Sequence, residues 1–365
     1  MIAIAAFASG LLIWFLYWVI HGRFHESTDD AYVNGNMILI TPQQPGIVTM
    51  LLADNTQIVE PGQPLALLDR HDYALGLEQA QANLASAVRD VVQLFLTVEE
   101  LKAKQAVALA HYERAKLDCE HRSHLVGDGS VSLEEFQHSE LTFAAAAASF
   151  EEVAREMEKA MAEVAHTTVS THPRVEQKKA ELKTAFLGLH RCTIRAPVRG
   201  IITQRSAQVG QWTRANDPLM ALVPLDQIWV DANCREVSLK HVRMGQPVEL
   251  FSDMYGRGET FHGVVVGLNP GTGSVFSILP PQNATGNWIK IVQRVPIKIS
   301  LDLDEIKVRP LLLGLSMTAV IDTHERSRLR VPHSSLVQPI YSTEIYTDEL
   351  QGVEEMIAQI IAQNG

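Results

Sequence analysis

One half-motif is written twice in this chain, 154 residues apart. The first copy, Gly46 to Asp69, reads GIVTMLLADNTQIVEPGQPLALLD, and the second, Gly200 to Val223, reads GIITQRSAQVGQWTRANDPLMALV. They align without a gap, pairing Gly46 with Gly200, Ile47 with Ile201, Thr49 with Thr203, Gln57 with Gln211 and Pro64 with Pro218. Short β-rich runs broken by Gly, Pro, Asn and Asp predict strand–turn–strand in each copy. Gly46, Gly62, Gly200 and Gly210 are the candidate turn positions. Neither copy can bury a hydrophobic face alone, so the two are expected to close one small β-sandwich together. Whatever lies between them is then an insertion.

The insertion is helical. From Tyr73 apolar residues recur at alternating spacings of four and three: Tyr73, Leu77, Ala80, Leu84, Ala87, Val91, Leu94, Val98, Leu101, then Ala108, Tyr112, Ala115 and Cys119, with Gln105 the one polar member. That is a sustained heptad. Gly127-Asp128-Gly129-Ser130 breaks it, and Ser132 with Glu135 fits a capping box that starts a second helix. The heptads resume at Phe143, Ala147, Phe150, Ala154, Met157, Met161 and Val164, weaken at Thr168 and Thr171, meet Pro173, and recover at Val175, Leu182, Ala185 and Leu189. Two long helices joined by a tight glycine turn must run antiparallel. Residues 71–192 are therefore expected to be a coiled-coil hairpin inserted between sandwich halves at 37–70 and 193–225.

The ends bound the rest. Ile2 to Ile20 is apolar without one charge, about the length of a membrane-spanning helix, with Trp14, Tyr17 and Trp18 gathered at its C-terminal end. Residues 1–21 are read as a single anchor. A cleaved signal peptide is the alternative, but no basic n-region precedes the apolar run and no small-x-small cleavage site follows it. Residues 22–36 read as a polar linker. Short β runs from 226 to 330 (IWVDAN, PVELF, HGVVVGL, WIKIVQRVPIKISL, MTAVIDT) predict a small barrel. Residues 331–365 form a tail whose last 21 residues hold a short amphipathic helix at most. The fold class is thus α+β and multi-domain. The net charge of −11 carries no dense Lys/Arg stripe, so nucleic acid is not an expected partner. The three cysteines are far apart and odd in number, which excludes a full disulfide framework and any CxxC zinc motif.

Four segments then carry a family likeness. They are Thr28-Asp-Asp-Ala-Tyr-Val-Asn-Gly35; the two half-motifs with Ala196-Pro197; Trp229-Val-Asp-Ala-Asn233 with Gly245-Gln-Pro-Val248; and Gly271-Thr-Gly-Ser-Val-Phe-Ser-Ile-Leu-Pro280 continuing through Gln282–Lys290 to Val292-Gln-Arg294. On these the chain resembles the periplasmic adaptor, or membrane fusion, proteins of Gram-negative efflux pumps (the HlyD family), and within them the EmrA type. The resemblance covers the anchor to about residue 325. It implies a split lipoyl-like β-sandwich with the hairpin inserted, a β-barrel, and no cofactor. It also implies a bacterial inner-membrane location with the bulk of the chain in the periplasm, a major-facilitator transporter as inner-membrane partner, a TolC-like outer-membrane channel, and a homo-oligomeric ring of about six copies. Such hairpins carry a tip pattern of Arg, three residues, Leu, six residues, Ser that meets the channel. Leu125 and Ser132 keep the spacing, while His121 stands at the Arg position with Arg122 beside it. Leu125 and Ser132 serve equally as a staple and an N-cap.

A second candidate is the loop from Gly271 to Trp288. Gly271, Gly273 and Gly286 permit positive φ and Asn283 can bond its own backbone, which reads as a shaped loop. Phe276, Ile278, Leu279 and Trp288 would supply apolar surface for a transporter or a duct entrance, or would plug the barrel. The lipoyl-like sandwich invites a swinging-arm carrier reading, but a carrier needs an exposed lysine at the turn joining its halves, and here the hairpin replaces that turn. His121 and His124 share a helix face without an evident third ligand. Gly271-x-Gly273 opens no helix, and no nucleophile elbow, HExxH or Walker A motif is present. The reading is a non-catalytic pump adaptor; the alternative is an anchored coiled-coil tether acting without a transporter.

Overall fold

The computed structural model describes residues 7, 24–127, 129–256, 258–273, 275, 292–330 and 339–365. The anchor at Ile2–Ile20 therefore lies outside the described residues except Phe7, and among the described residues no helix is long and apolar enough to cross a membrane. Contacts divide the chain into two compact units, Met1–Leu67 with Ile194–Ile345, and Leu68–Thr193 with Tyr346–Gly365.

In the first unit the half-motifs form β2 (Ile38–Ile40), β3 (Gly46–Leu51), β4 (Ile58–Val59) and β5 (Pro64–Leu68), then β6 (Thr193–Arg195), β7 (Gly200–Thr203), β8 (Trp212–Thr213) and β9 (Met220–Val223). They build two four-stranded sheets in the orders β2-β9-β7-β4 and β6-β5-β3-β8. Counting the flanking strands β2 and β6, each sheet takes two strands from each half, 37–70 and 193–225, so neither half is a folding unit alone. The repeat is reciprocal down to single bonds. Gly46 pairs with Thr213 and Val59 with Gly200, the same two repeat positions with their roles exchanged. Thr56 N–H reaches Ile202 O while Gly210 N–H reaches Val48 O, and Gly62 N–H reaches Ala196 O while Asn216 N–H reaches Pro42 O. The left-handed backbone positions also repeat: Thr56 (φ 69°) matches Gly210 (85°), and Gly62 (80°) matches Asn216 (69°). Gly62 and Gly210 are thus turn glycines, as expected. Gly46 and Gly200 are not; they open strands, and at Gly200 an added Cβ would lie 2.5 Å from Val223 O.

The same unit holds a closed six-stranded barrel in the order β1-β10-β13-β12-β11-β14. Its strands are β1 (His25–Gly35), β10 (Ile228–Arg235), β11 (Pro247–Ser252), β12 (Thr260–Leu268), β13 (Arg294–Leu301) and β14 (Ser316–Asp322). Period-two alternation sends Val230, Leu250, Phe261, Ile297, Ile299 and Ile321 inward to full or near-full burial. β1 corrects the reading of residues 22–36 as a linker. Only Thr28, Ala31 and Val33 of HESTDDAYVNG are buried, and a register shift between Thr28 and Ala31 breaks the alternation that would have marked a strand.

In the second unit α1 (His71–Gly127) runs 57 residues, about 85 Å at the helical rise. It pairs with a return path in two pieces, α2 (Leu133–Val164) and α3 (Pro173–His190). Every heptad position read in α1 is buried or half-buried. In α2 the series holds to Val164 except at Met161, which is 44 % exposed one turn before the helix ends. The interruption is wider than the single Pro173: it spans 165–172 and is a built turn. His172 caps α3 by accepting from Arg174 N–H at Nδ1, and its Nε2 lies 3.2 Å from Glu163 O, a bond it can only donate. Pro173 follows at the first helical position, where its missing N–H costs nothing.

The tail is more than a loose helix. α5 (Val353–Asn364; a short α4, Leu303–Val308, precedes it in the barrel unit) packs Val353 and Ile357 against Leu77, Leu84 and Val88 of α1 and Val175 and Leu182 of α3. Lys183–Glu354 and Arg191–Glu349 ion pairs and a bond from Arg89 Nε to Asn364 Oδ1 fix its register. Two helices become a three-helix bundle with a true core. Ile357→Asp would bury an unpaired carboxylate there, at about 3 kcal/mol or more. Hydrogen exchange should show residues 353–364 losing protection while the barrel strands keep theirs; unchanged protection would mean α5 is not held by this core.

Cys192 and Cys234 are buried and burial pushes their thiols up to about 11 and about 12. Both stay protonated at mildly alkaline pH and shielded from reagents. Thiol labelling of the native chain should therefore be confined to the half-buried Cys119, and denaturation should release the other two.

The sandwich gives a sharper test. Gly62→Ala meets no atom but is left-handed, a cost of about 1 kcal/mol, and Gly62→Asn should restore most of it, since Asn216 already occupies the equivalent position. Gly200→Ala and Gly200→Asn should each cost about 2 kcal/mol through the clash with Val223 O. Denaturant midpoints that rank the four variants otherwise would reject the reciprocal packing.

Candidate functional site

The hairpin tip is built by two caps. α1 closes with Ser130 N–H bonded to Leu125 O (3.2 Å) and Gly129 N–H to Val126 O (3.1 Å), with Gly129 left-handed at φ 69°. That is a Schellman stop. α2 opens with the expected capping box: Ser132 Oγ accepts from Glu135 N–H at 3.1 Å, and the Glu135 carboxylate accepts from Ser132 N–H at 3.2 Å. The bonds from Ser132 hold the Glu135 pKa below its usual value.

The four tip residues named from sequence therefore divide. Ser132 is committed to the cap. Arg122 turns toward the turn, pairing with Asp118 at 3.3 Å and donating to Glu135 O at 3.4 Å. His121 is exposed and Leu125 is 43 % exposed. Sequence reasoning missed their apolar company. Leu117 is 53 %, Leu133 63 % and Leu141 71 % exposed. The signal was available: none of the three falls in the heptad register, so each must point away from the seam. Among the described residues no group of three His, Cys, Asp or Glu is placed to hold a metal.

The second candidate lies at one end of the barrel. Register places His25 opposite Asp322, Arg235 opposite Arg294, and Leu268 opposite Ile297. The start of β1, the loop between β12 and β13, and the segments 236–246 and 323–330 therefore share that end. The loop's two arms continue the ladder, with Asn269 N–H bonded to Pro296 O (3.0 Å) and Gly273 N–H to Arg294 O (3.2 Å). Arg294 and Asn233 both bind the Asp30 carboxylate, at 2.6 and 3.1 Å, tying the loop's base to β1. Gly273 is not left-handed and a Cβ there would meet open space, so its glycine is not demanded by the backbone. Phe276, Leu279, Asn283, Gly286 and Trp288 lie outside the described residues.

The chain as a whole is similar to known proteins. The profile described as EMRA, alpha-helical hairpin domain, matches residues 71–192, the interval from the start of α1 to the end of the helical return. A probable multidrug resistance protein EmrK of Escherichia coli (strain K12) is 40 % identical over 354 residues, spanning 96 % of this chain and 92 % of that protein. The multidrug export protein EmrA of Haemophilus influenzae is 37 % identical over 349 residues, spanning 96 % and 90 %. A solved structure of the periplasmic adaptor protein EmrA, 20 % identical, covers 82 % of this chain and 99 % of its own with a TM-score of 0.41. With the sequence likeness to EmrK and EmrA running over 96 % of the chain, through sandwich, hairpin and barrel, the chain belongs to the EmrA family of membrane fusion proteins.

Proposed function

We propose that the chain is the non-catalytic adaptor of a tripartite efflux pump. It is anchored in the inner membrane by residues 1–21 with its body in the periplasm. It couples a major-facilitator transporter to a TolC-like outer-membrane channel, as a ring of about six copies, for export of hydrophobic or toxic compounds. The observation that carries this reading is the insertion of an ~85 Å helical hairpin between two half-motifs that complete one sandwich. That architecture supplies length and a fixed base, which a duct needs. It leaves no turn between the halves for a carrier lysine: the chain passes from Leu68 into α1 at His71, and from His190 back to Thr193. The names of the relatives, a multidrug export protein and a probable multidrug resistance protein, suggest the class of cargo.

In this reading the tip contact is apolar. Leu125, Leu133 and Leu117 present side chains to the channel, while Arg122 and Ser132 hold the turn in shape. The loop between β12 and β13 faces the transporter or lines the duct entrance. A cysteine at position 125 should cross-link to the outer-membrane channel in intact cells, and Leu125→Asp should abolish export while the melting temperature stays within that expected of an exposed change, about 0.5 kcal/mol. An active pump in which position 125 cross-links to nothing, or only monomers are captured in the membrane, would count against the assembly.

A further inference from the structure

The barrel end where β1 begins carries five cations that, among the described residues, stand in no salt bridge. Segment 238–246 and segment 323–330 pack together there: Met244 N–H bonds Leu329 O at 3.0 Å, and Gln246 Nε2 bonds Glu325 O at 2.7 Å and His241 O at 3.1 Å. Thr323 N–H and Oγ–H both donate to Phe24 O, at 2.7 and 2.8 Å. His324 stacks on Phe24 at 4.3 Å between ring centroids, and the Arg326 guanidinium lies 5.2 Å over the same ring. The two segments bring Lys240, Arg243, Arg326, Arg328 and Arg330 to one surface beside Phe24.

The bonds these cations make are to neutral carbonyls. Arg243 donates to Lys240 O (3.1 Å) and Val242 O (2.8 Å), Arg330 to Lys240 O (2.8 Å), Arg326 Nε to Thr323 O (3.0 Å), and Arg328 to Gly245 O. One carbonyl, Lys240 O, thus gathers two guanidiniums. Carbonyls orient a guanidinium but leave its charge in place. Among the described residues none of the five cations has a salt bridge. The acids at this end are otherwise engaged or few: Asp322 pairs with His324, Asp30 with Arg294, and Glu325 accepts from Ser327, its pKa lowered first by those bonds and in smaller part by the nearby Arg328. Glu26, Asp29 and Glu236 are the other acids there. The crowding shows in the titration of the neighbours. Burial, then Arg330 and Arg326, lower the Arg243 pKa; burial, then Arg326 and Lys240, lower that of His241, with Glu26 opposing. Arg326 Nη2 is buried without a hydrogen-bond partner among the described residues, and an unmatched buried donor on a cation is costly. Exposed Val237 (75 %) and Leu329 (52 %) stand among these charges.

We infer that this surface is a docking site for anionic phospholipid headgroups. The inference rests on reading residues 2–20 as membrane-spanning. From Ile20 to Phe24 is four residues, at most about 14 Å of extended chain. Phe24 touches Arg326 and His324, so the patch lies within reach of the headgroup layer. Phosphodiesters offer what is missing: a negative charge and acceptor oxygens for the outward cations Lys240, Arg328 and Arg330. Val237 and Leu329 enter the apolar fringe beneath. Each basic side chain at such a surface contributes about 1 kcal/mol, roughly a fivefold change in local occupancy.

The test uses the full chain in nanodiscs of phosphatidylcholine alone and of phosphatidylcholine mixed with phosphatidylglycerol, read by hydrogen exchange. Segments 238–246 and 323–330 should exchange about tenfold more slowly in the anionic discs. High salt, which shortens the screening length to a few Å, should erase the difference. So should the triple variant Lys240→Gln, Arg328→Gln, Arg330→Gln, whose side chains are exposed and leave the barrel strands protected. Equal exchange in the two discs, with the chain incorporated in both, overturns the lipid site and leaves the anchor standing. Failure to enter neutral discs at all removes the anchor and the proposal with it. Protection that appears only when a transporter is added would assign the patch to a protein partner and likewise overturn it.

Discussion

The reciprocal pairing of the half-motifs is the constraint on which the rest depends. Because each sheet combines strands from both halves, the sandwich cannot form until residues 46–69 and 200–223 have met. When they do, Leu68 N–H bonds Cys192 O at 2.8 Å, so the two ends of the 71–192 insertion are held one hydrogen bond apart. Closing a loop of that length costs about 4 kcal/mol in chain entropy by the logarithmic rule. The hairpin offsets this by being self-complementary: its two limbs already run antiparallel, and the tip is set by a Schellman stop and a capping box on either side of the turn. Sandwich and hairpin therefore impose the same end-to-end distance, an agreement between levels that favours a single fold.

The hairpin is two materials in series. Toward the tip it is a two-stranded coil whose seam is only half-shielded. Tyr112 between Phe143 and Phe150, with ring centroids 5.4 and 5.7 Å away, is its most concentrated apolar contact. Beyond the turn at 165–172 the partner becomes α3, α5 joins, and Leu84, Val88, Val91 and Leu182 reach full burial. A pair of helices can shield only one stripe of each; a third helix turns the stripe into a core. The turn sits at the junction, where the seam no longer has to remain continuous because the bundle holds α3 separately.

How much of this the sequence revealed follows from the range of each signal. The heptads of α1 were legible residue by residue because periodicity is a local property repeated many times. The barrel strands were legible where alternation was clean, as in β10, and illegible in β1, where a bulge shifts the phase and most side chains are polar. The sandwich turns were half legible. Glycine marks the left-handed position in one copy, Gly62 or Gly210, while Asn216 and Thr56 occupy it in the other without announcing it. The docking of α5 was not legible. Val353, Ile357, Ile360 and Ile361 define an apolar face, but a face does not name its partner, and the partner lies more than 150 residues away in the chain. At the tip the family spacing found Leu125 and Ser132 but could not say which of them was free. The cap decides that.

Charge is distributed as unevenly as packing. The sequence has 42 acids against 31 lysines and arginines, so a cation placed at random has carboxylates to spare. On the hairpin this is what happens: Lys102, Lys104, Lys116, Arg122, Arg155, Lys178 and Lys179 each pair with an acid three or four residues away. Such pairs contribute a few tenths of a kcal/mol each. At the barrel end the opposite holds, with four arginines oriented by carbonyls, Lys240 beside them, and none of the five in a salt bridge among the described residues. In an acid-rich chain that arrangement is not the default outcome of composition. Mutual repulsion there disfavours the folded state unless a compensating anion is met, and the surface concerned is the one from which the chain leads back to its apolar N-terminal segment. The hairpin and this barrel end therefore treat the same kinds of charged residue in opposite ways: in one most cations are matched along the helix, in the other they are held together by carbonyls.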